Sequence, residues 1–95
     1  MITLNVILTV KQESDIPRVR ELLIQQATLS RQEPGCLRFE VYQSRNQATV
    51  FILNEHWENS AALDQHRLAL AYTTVYAPHV IPLVDRTPHP CDLVI

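Results

Sequence analysis

Ninety-five residues leave room for one hydrophobic core, and a composition of 46% hydrophobic with 19% charged residues is that of a chain that folds. A formal net charge of −2 withholds the broad attraction to phosphates on which nucleic-acid affinity rests, and no apolar run approaches the length of a membrane span. The single glycine, Gly35, excludes both the GxGxxG dinucleotide turn and the GxxxxGK[ST] phosphate loop.

A domain this small buries only roughly 60–70% of the surface that its unfolded chain exposes, so oligomerisation is a common source of extra stability. Residues 1–95 are accordingly read as one domain that works as a homodimer. Met1 leads straight into a patterned segment with no charged n-region and apolar h-region, which points to a cytoplasmic protein. Cys36 and Cys91 fit no zinc or thioredoxin spacing and read as two free thiols.

Along the chain, Ile2, Leu4, Val6, Leu8 and Val10 alternate with Thr3, Asn5, Ile7 and Thr9, which is the period of a strand. Ser14 and Asp15 are placed to cap a helix, with Pro17 in its first turn and an apolar stripe of Ile16, Val19, Leu22, Leu23 and Ala27, running to about Gln32. Glu33-Pro34-Gly35 ends that pattern. Leu37, Phe39 and Val41 then alternate with Arg38, Glu40 and Tyr42, and a turn at Arg45-Asn46-Gln47 leads to a third strand over Thr49–Trp57, an antiparallel hairpin.

Asn59 or Ser60 caps a second helix, on which Leu63, His66, Arg67 and Leu70 fall on one face. Pro78 and Pro82 limit any continuation of this helix to short pieces. The segment from Leu83 to Ile95 is enough for a fourth strand or an arm, and Pro88 and Pro90 keep such a strand at a sheet edge. The order β-α-β-β-α-β is that of an α+β, ferredoxin-like fold, with both helices on one face of an antiparallel sheet. A second copy of the sheet is the simplest cover for the other face, which gives a dimeric α+β barrel.

The run Glu55-x-Trp57-Glu58-x-x-Ala61-x-Leu63-x-x-His66, with Glu33-Pro34-Gly35-Cys36 and an alternating strand before it, resembles the antibiotic-biosynthesis-monooxygenase superfamily over nearly the whole chain. The resemblance implies a dimeric α+β barrel. It covers cofactor-free quinol and anthrone monooxygenases, haem-degrading enzymes and an enzyme that processes a phosphorylated autoinducer. The Glu-x-Trp-Glu run with its following His is closest to the quinol branch. Tyr72, six residues after His66, also resembles the autoinducer branch, where a second His often precedes this Tyr; here that position is Ala71.

His66 is the candidate general base, pressed toward the sheet and able to take a proton near neutral pH. Asn5 resembles the first-strand Asn of the anthrone-oxidising and haem-degrading branches and is a candidate for holding a substrate oxyanion, with a local backbone partner or a solvent-facing place as the alternative. Tyr72 is placed to donate its hydroxyl to a substrate oxygen. Trp57 shares strand parity with Phe51 and is placed to stack on a flat substrate or to pack in the core; Phe51 and Leu63 complete the expected substrate wall. Phe39 reads as core or dimer interface. His56, His79 and His89 carry less weight, and His89-x-Cys91 lacks further ligands, so no metal is expected.

The expected function is monooxygenation of a small electron-rich aromatic such as a quinol or anthrone by dioxygen, with neither flavin nor metal. Haem degradation is one alternative, because the resemblance places Asn5, Trp57 and His66 near that branch's three working residues. Autoinducer processing and a non-catalytic small-molecule-binding dimer module are the others.

Overall fold

The computed structural model describes residues 1–95. Its elements are strand β1 (Ile2–Val10), helix α1 (Ile16–Ser30), strands β2 (Cys36–Gln43) and β3 (Val50–Trp57), helix α2 (Ser60–Leu68) and strand β4 (Val84–Cys91). A widely wound π-helical segment, Ala71–Val80, and a single 3-10 turn join α2 to β4. The four strands form one antiparallel sheet in the order β2-β3-β1-β4, and the helices cover one of its faces, the ferredoxin-like α+β arrangement.

The alternation of β1 does what its period requires. Leu4, Val6, Leu8 and Val10 are buried under the helices together with Phe39, Phe51, Leu53 and Trp57 from the hairpin strands, and Val19, Leu23 and Ala27 of α1 close the core. Residues of the opposite parity line up across the other face. Glu40, Asn54, Asn5 and His89 form one row through successive strands, and Tyr42, Ile52, Ile7 and Thr87 form the next. No helix of this chain is long and apolar enough to cross a membrane.

Several local expectations change. Asp15 makes no capping bond through its side chain, because a 3-10 turn at Glu13–Asp15 has already put its backbone in the helical region. Helix α1 stops at Ser30. A bulge between Cys36 and Arg38 takes Leu37 out of the alternation and leaves it exposed. Helix α2 is capped by Asn59, whose Oδ1 accepts from the Ala62 N–H at 2.9 Å, but it ends at Leu68, so Leu70 lies past the break and is exposed. Pro78 does not cut the chain into short pieces, since it sits inside a ten-residue helix whose wider turn spares a bond to its missing N–H. Strand β4 lies at the edge, as its prolines require.

Candidate active site

His66 is placed by α2. Its ring is 4% exposed and stacks on Trp57, with centroids 4.4 Å apart and planes 34° from parallel. Phe39 and Tyr72 stand against it at 5.9 and 5.8 Å, the latter edge-on. Within this aromatic cage the Nδ1 atom lies 2.7 Å from Oε1 of Glu33. A carboxylate can only accept, so Nδ1 is the donor in this pair.

Glu33 owes its position to the Glu33-Pro34-Gly35 turn. Gly35 has φ +81°, and a Cβ there would stand 2.5 Å from the Ala62 Cβ, so both the turn and the close approach to α2 need glycine. The Gly35 carbonyl accepts from the Glu58 N–H at 2.8 Å, and the Cys36 N–H donates to the Glu33 carbonyl at 3.2 Å. These bonds tie the turn to the end of β3 and bring Glu33 over His66.

Glu55 is the second carboxylate of the site and the less expected one. It lies on the core parity of β3, 5% exposed, and Oε1 accepts from Nε1 of Trp57 at 3.0 Å. Burial pushes its carboxyl above the usual range; the Trp57 bond and the nearby charges of His66 and Arg86 pull the other way without cancelling that shift. Tyr76, from the π-helical segment, is buried, and its hydroxyl oxygen accepts from Nε of Arg86 at 2.8 Å. Its phenol is pushed up to about 12, chiefly by burial, and stays protonated at any physiological pH. Tyr72 packs on Tyr76 at 5.2 Å.

Two spaces border His66. A cleft of about 400 Å3 opens on the outer side between the Glu33–Gly35 turn and α2, walled by small residues and by the carboxylates of Glu33 and Glu58. A small, partly open space of about 10 Å3 lies on the inner side, among Glu55, His66, Tyr72, Tyr76, Gln26 and the two arginines Arg67 and Arg86. The outer cleft is the roomier one, but two carboxylates oppose any negative charge that develops there, and the aromatic cage and the guanidinium groups lie with the inner space.

The expected site residues thus divide. His66, Trp57, Tyr72 and Leu63 come together, Leu63 as part of the inner wall. Asn5 does not join them. It lies on the open face, where Oδ1 accepts from Asn54 at 2.7 Å and Nδ2 donates to the Cys91 sulfur at 3.3 Å, with the sheet between it and His66. Trp57 is fully buried and its ring face is taken by His66, so packing is the role that the structure gives it. Phe51 is core as well, opposite Leu8 and Gln43 toward the other end of the hairpin. Phe39 is core. No three of the chain's His, Cys, Asp and Glu side chains converge as a metal site would need, His89 and Cys91 included.

The residues that sequence reasoning passed over are Glu33, Gln26, Glu55, Tyr76 and Arg86. For Glu55 a signal was present, a carboxylate between Leu53 and Trp57 on a core-facing parity, and for Gln26 likewise, at the position beyond Val19 and Leu23 on the apolar stripe of α1. Arg86 and Glu33 reach the site only through the tertiary fold.

The family model described as antibiotic biosynthesis monooxygenase matches residues 1–77. The chain belongs to this family. A crystal structure of an antibiotic biosynthesis monooxygenase superposes over the full length of both chains with a TM-score of 0.90 at 25% identity. The cofactor-independent oxygenase SnoaB of Streptomyces nogalater, solved as a point mutant, shares the fold at a TM-score of 0.85 and 13% identity, over 99% of this chain and 93% of that one. An uncharacterized protein of Synechocystis, sll1783, is 43% identical over 37 residues, which are 39% of this chain; the match spans a quarter of that relative's length.

Proposed function

We infer that this family member is a cofactor-independent monooxygenase acting on a small electron-rich aromatic such as a quinol or an anthrone. The observation that carries the reading is the Glu33–His66 pair: a buried imidazole whose carboxylate partner fixes its tautomer, set inside a wall of aromatic rings. Nε2 takes the proton from a phenolic or enolic hydroxyl. The resulting anion is rich enough in electrons to reduce dioxygen itself, and a carbon of the substrate forms the new C–O bond. The peroxide anion takes the proton back from Nε2, and the hydroperoxide so formed loses water as its O–O bond breaks and the C–H at that carbon gives up its proton, leaving a carbonyl. One oxygen atom ends in the product and the other in water, so no outside reductant is needed.

The inner space admits one oxygen atom and no ring. The ring of the substrate takes the place of Tyr72, which is only half-buried, follows directly on the break after α2, and already lies against both His66 and Tyr76. The outer cleft gives a phosphorylated substrate little support, because Glu33 and Glu58 stand in its wall. The same reading includes a second copy of the chain on the open sheet face, where Ile7 and Tyr42 are exposed side by side with Ile52.

The test is oxygen uptake by purified protein, stripped of metal and flavin, with a panel of quinols and anthrones and a His66→Ala control. Uptake above autoxidation that falls by about 10²–10⁴-fold in the control is the expected result. Equal uptake by the two proteins removes His66 as the base, and no uptake by either removes the oxygenase reading.

A further inference from the structure

The hydrogen bonding of the inner space is incomplete. Gln26 is 1% exposed and its Oε1 has no partner. The Tyr76 hydroxyl receives the Arg86 Nε–H on its oxygen, while no side chain or carbonyl accepts its own proton. Glu55 uses Oε1 on Trp57. These three groups face one gap of about 10 Å3, the size of a single water, and His66 stands on the same wall.

A gap of that size, bordered by a free donor and an unsatisfied amide, fits one hydroxyl-type oxygen, and the charges decide which state of it is favoured. Arg86 is cationic and polarises the Tyr76 O–H by donating to its oxygen, which makes that O–H a better donor. A half-turn of the terminal torsion of Gln26 exchanges its amide oxygen and nitrogen, and in the turned orientation it offers N–H to the gap. Glu55 spends Oε1 on the Trp57 N–H, and burial pushes its carboxyl above the usual range. Preorganised donors aimed at one buried oxygen are what an anionic oxygen needs.

We propose that this gap is an oxyanion subsite, in which Tyr76 and Gln26, with Arg86 behind Tyr76, hold the phenolic oxygen of the substrate once its proton has left; a water keeps the place in the free protein. The proposal rests on the oxygenase reading for the substrate class and deepens it: the ligand is a neutral phenol or enol that presents one unencumbered hydroxyl. Tyr76 and Gln26 touch the oxygen. Arg86 is a positioning residue that acts through Tyr76. The subsite fills the role for which Asn5 was the sequence candidate, on the face of the sheet where His66 stands.

The experiment uses 4-nitrophenol, whose ionised form has its own absorption band, so binding is read without any turnover. Spectra of the full-length protein with this probe across a pH series give the affinities of phenol and phenolate separately. The wild-type protein is expected to prefer the phenolate. Tyr76→Phe is expected to weaken phenolate binding about tenfold while leaving the neutral phenol nearly unchanged. Arg86→Met is expected to act in the same direction, with Arg86→Lys recovering part of the loss. Oxygen uptake and probe binding by the wild-type protein separate the two readings: a protein that takes up no oxygen but still discriminates as described loses the oxygenase reading and keeps the subsite. Failure to bind the probe, or a phenolate preference unchanged in both Tyr76→Phe and Arg86→Met, overturns the proposal. Arg86 is exposed, so its variants carry the test if Tyr76→Phe does not fold.

Discussion

The two faces of the sheet are built from the same strands and carry opposite kinds of polarity. Under the helices, Glu55 and His66 sit in a buried, aromatic layer where each holds a side-chain partner. On the open face, Asn5, Asn54 and Cys91 bond one another in a layer still reached by solvent. A polar residue of the first kind has lost its water, so its partners set its protonation; one of the second kind keeps its solvent and needs its partners far less. The chemistry proposed for this chain therefore uses the covered face.

Truncating one residue on each face is the strongest way to break this contrast. Trp57→Ala removes the largest buried side chain, the donor to Glu55 and the platform under His66, and is expected to cost about 3–5 kcal/mol in urea unfolding. Asn5→Ala removes two polar contacts in a half-exposed layer and is expected to cost less than about 1 kcal/mol. Comparable losses for the two would mean that the open face is as dry as the covered one.

Gly35→Ala probes how the covered face is positioned. Its positive φ and the approach to Ala62 both oppose a side chain, and a loss of about 1–3 kcal/mol is expected. Because the turn carries Glu33, the ring of His66 is expected to lose its fixed tautomer as well, visible in the nitrogen shifts of its imidazole by NMR. Unchanged shifts would show that Glu33 holds His66 without help from the turn.

How much of this was legible depended on the range of the interaction. Strand β1, the hairpin, the Asn59 cap and the edge placement of β4 follow from periods of two and from proline chemistry, all local. The burial of His66 was legible from Leu63 three residues before it on the helix, while its candidacy as a base came from the family resemblance. For Asn5 two signals conflict: the family resemblance points it toward the site, its parity sets it opposite Leu4 and Val6, and the alternation prevails. The Arg86–Tyr76 bond and the descent of Glu33 onto His66 join residues with no shared period, and no pattern in the sequence announces them. The break between α2 and the π-helical segment escaped for want of a glycine or proline to mark it.

The open face sharpens the contrast in another way. Ile7→Lys puts a charge at the centre of the apolar row formed with Tyr42 and Ile52 and is expected to shift the protein from dimer to monomer in sedimentation velocity at micromolar concentration. A dimer that survives this change has its interface elsewhere.

The smallest expected effect is a difference between two pH profiles, and it addresses the covered face most directly. Burial raises the Glu55 carboxyl in the folded protein above its value in the unfolded chain. Below the unfolded value both states are protonated and the shift has no effect on stability. As pH rises past it, the unfolded chain releases its proton more readily than the folded one, so the folded state loses stability until the folded value is passed, after which the deficit stays constant. Glu55→Gln keeps the shape of the side chain and an acceptor for Trp57 and removes the proton linkage. The stability of this variant relative to wild type is therefore expected to increase as pH rises above about 4. A flat difference would show that Trp57, His66 and Arg86 together outweigh desolvation, and that the layer under the helices is more polar than its exposure suggests.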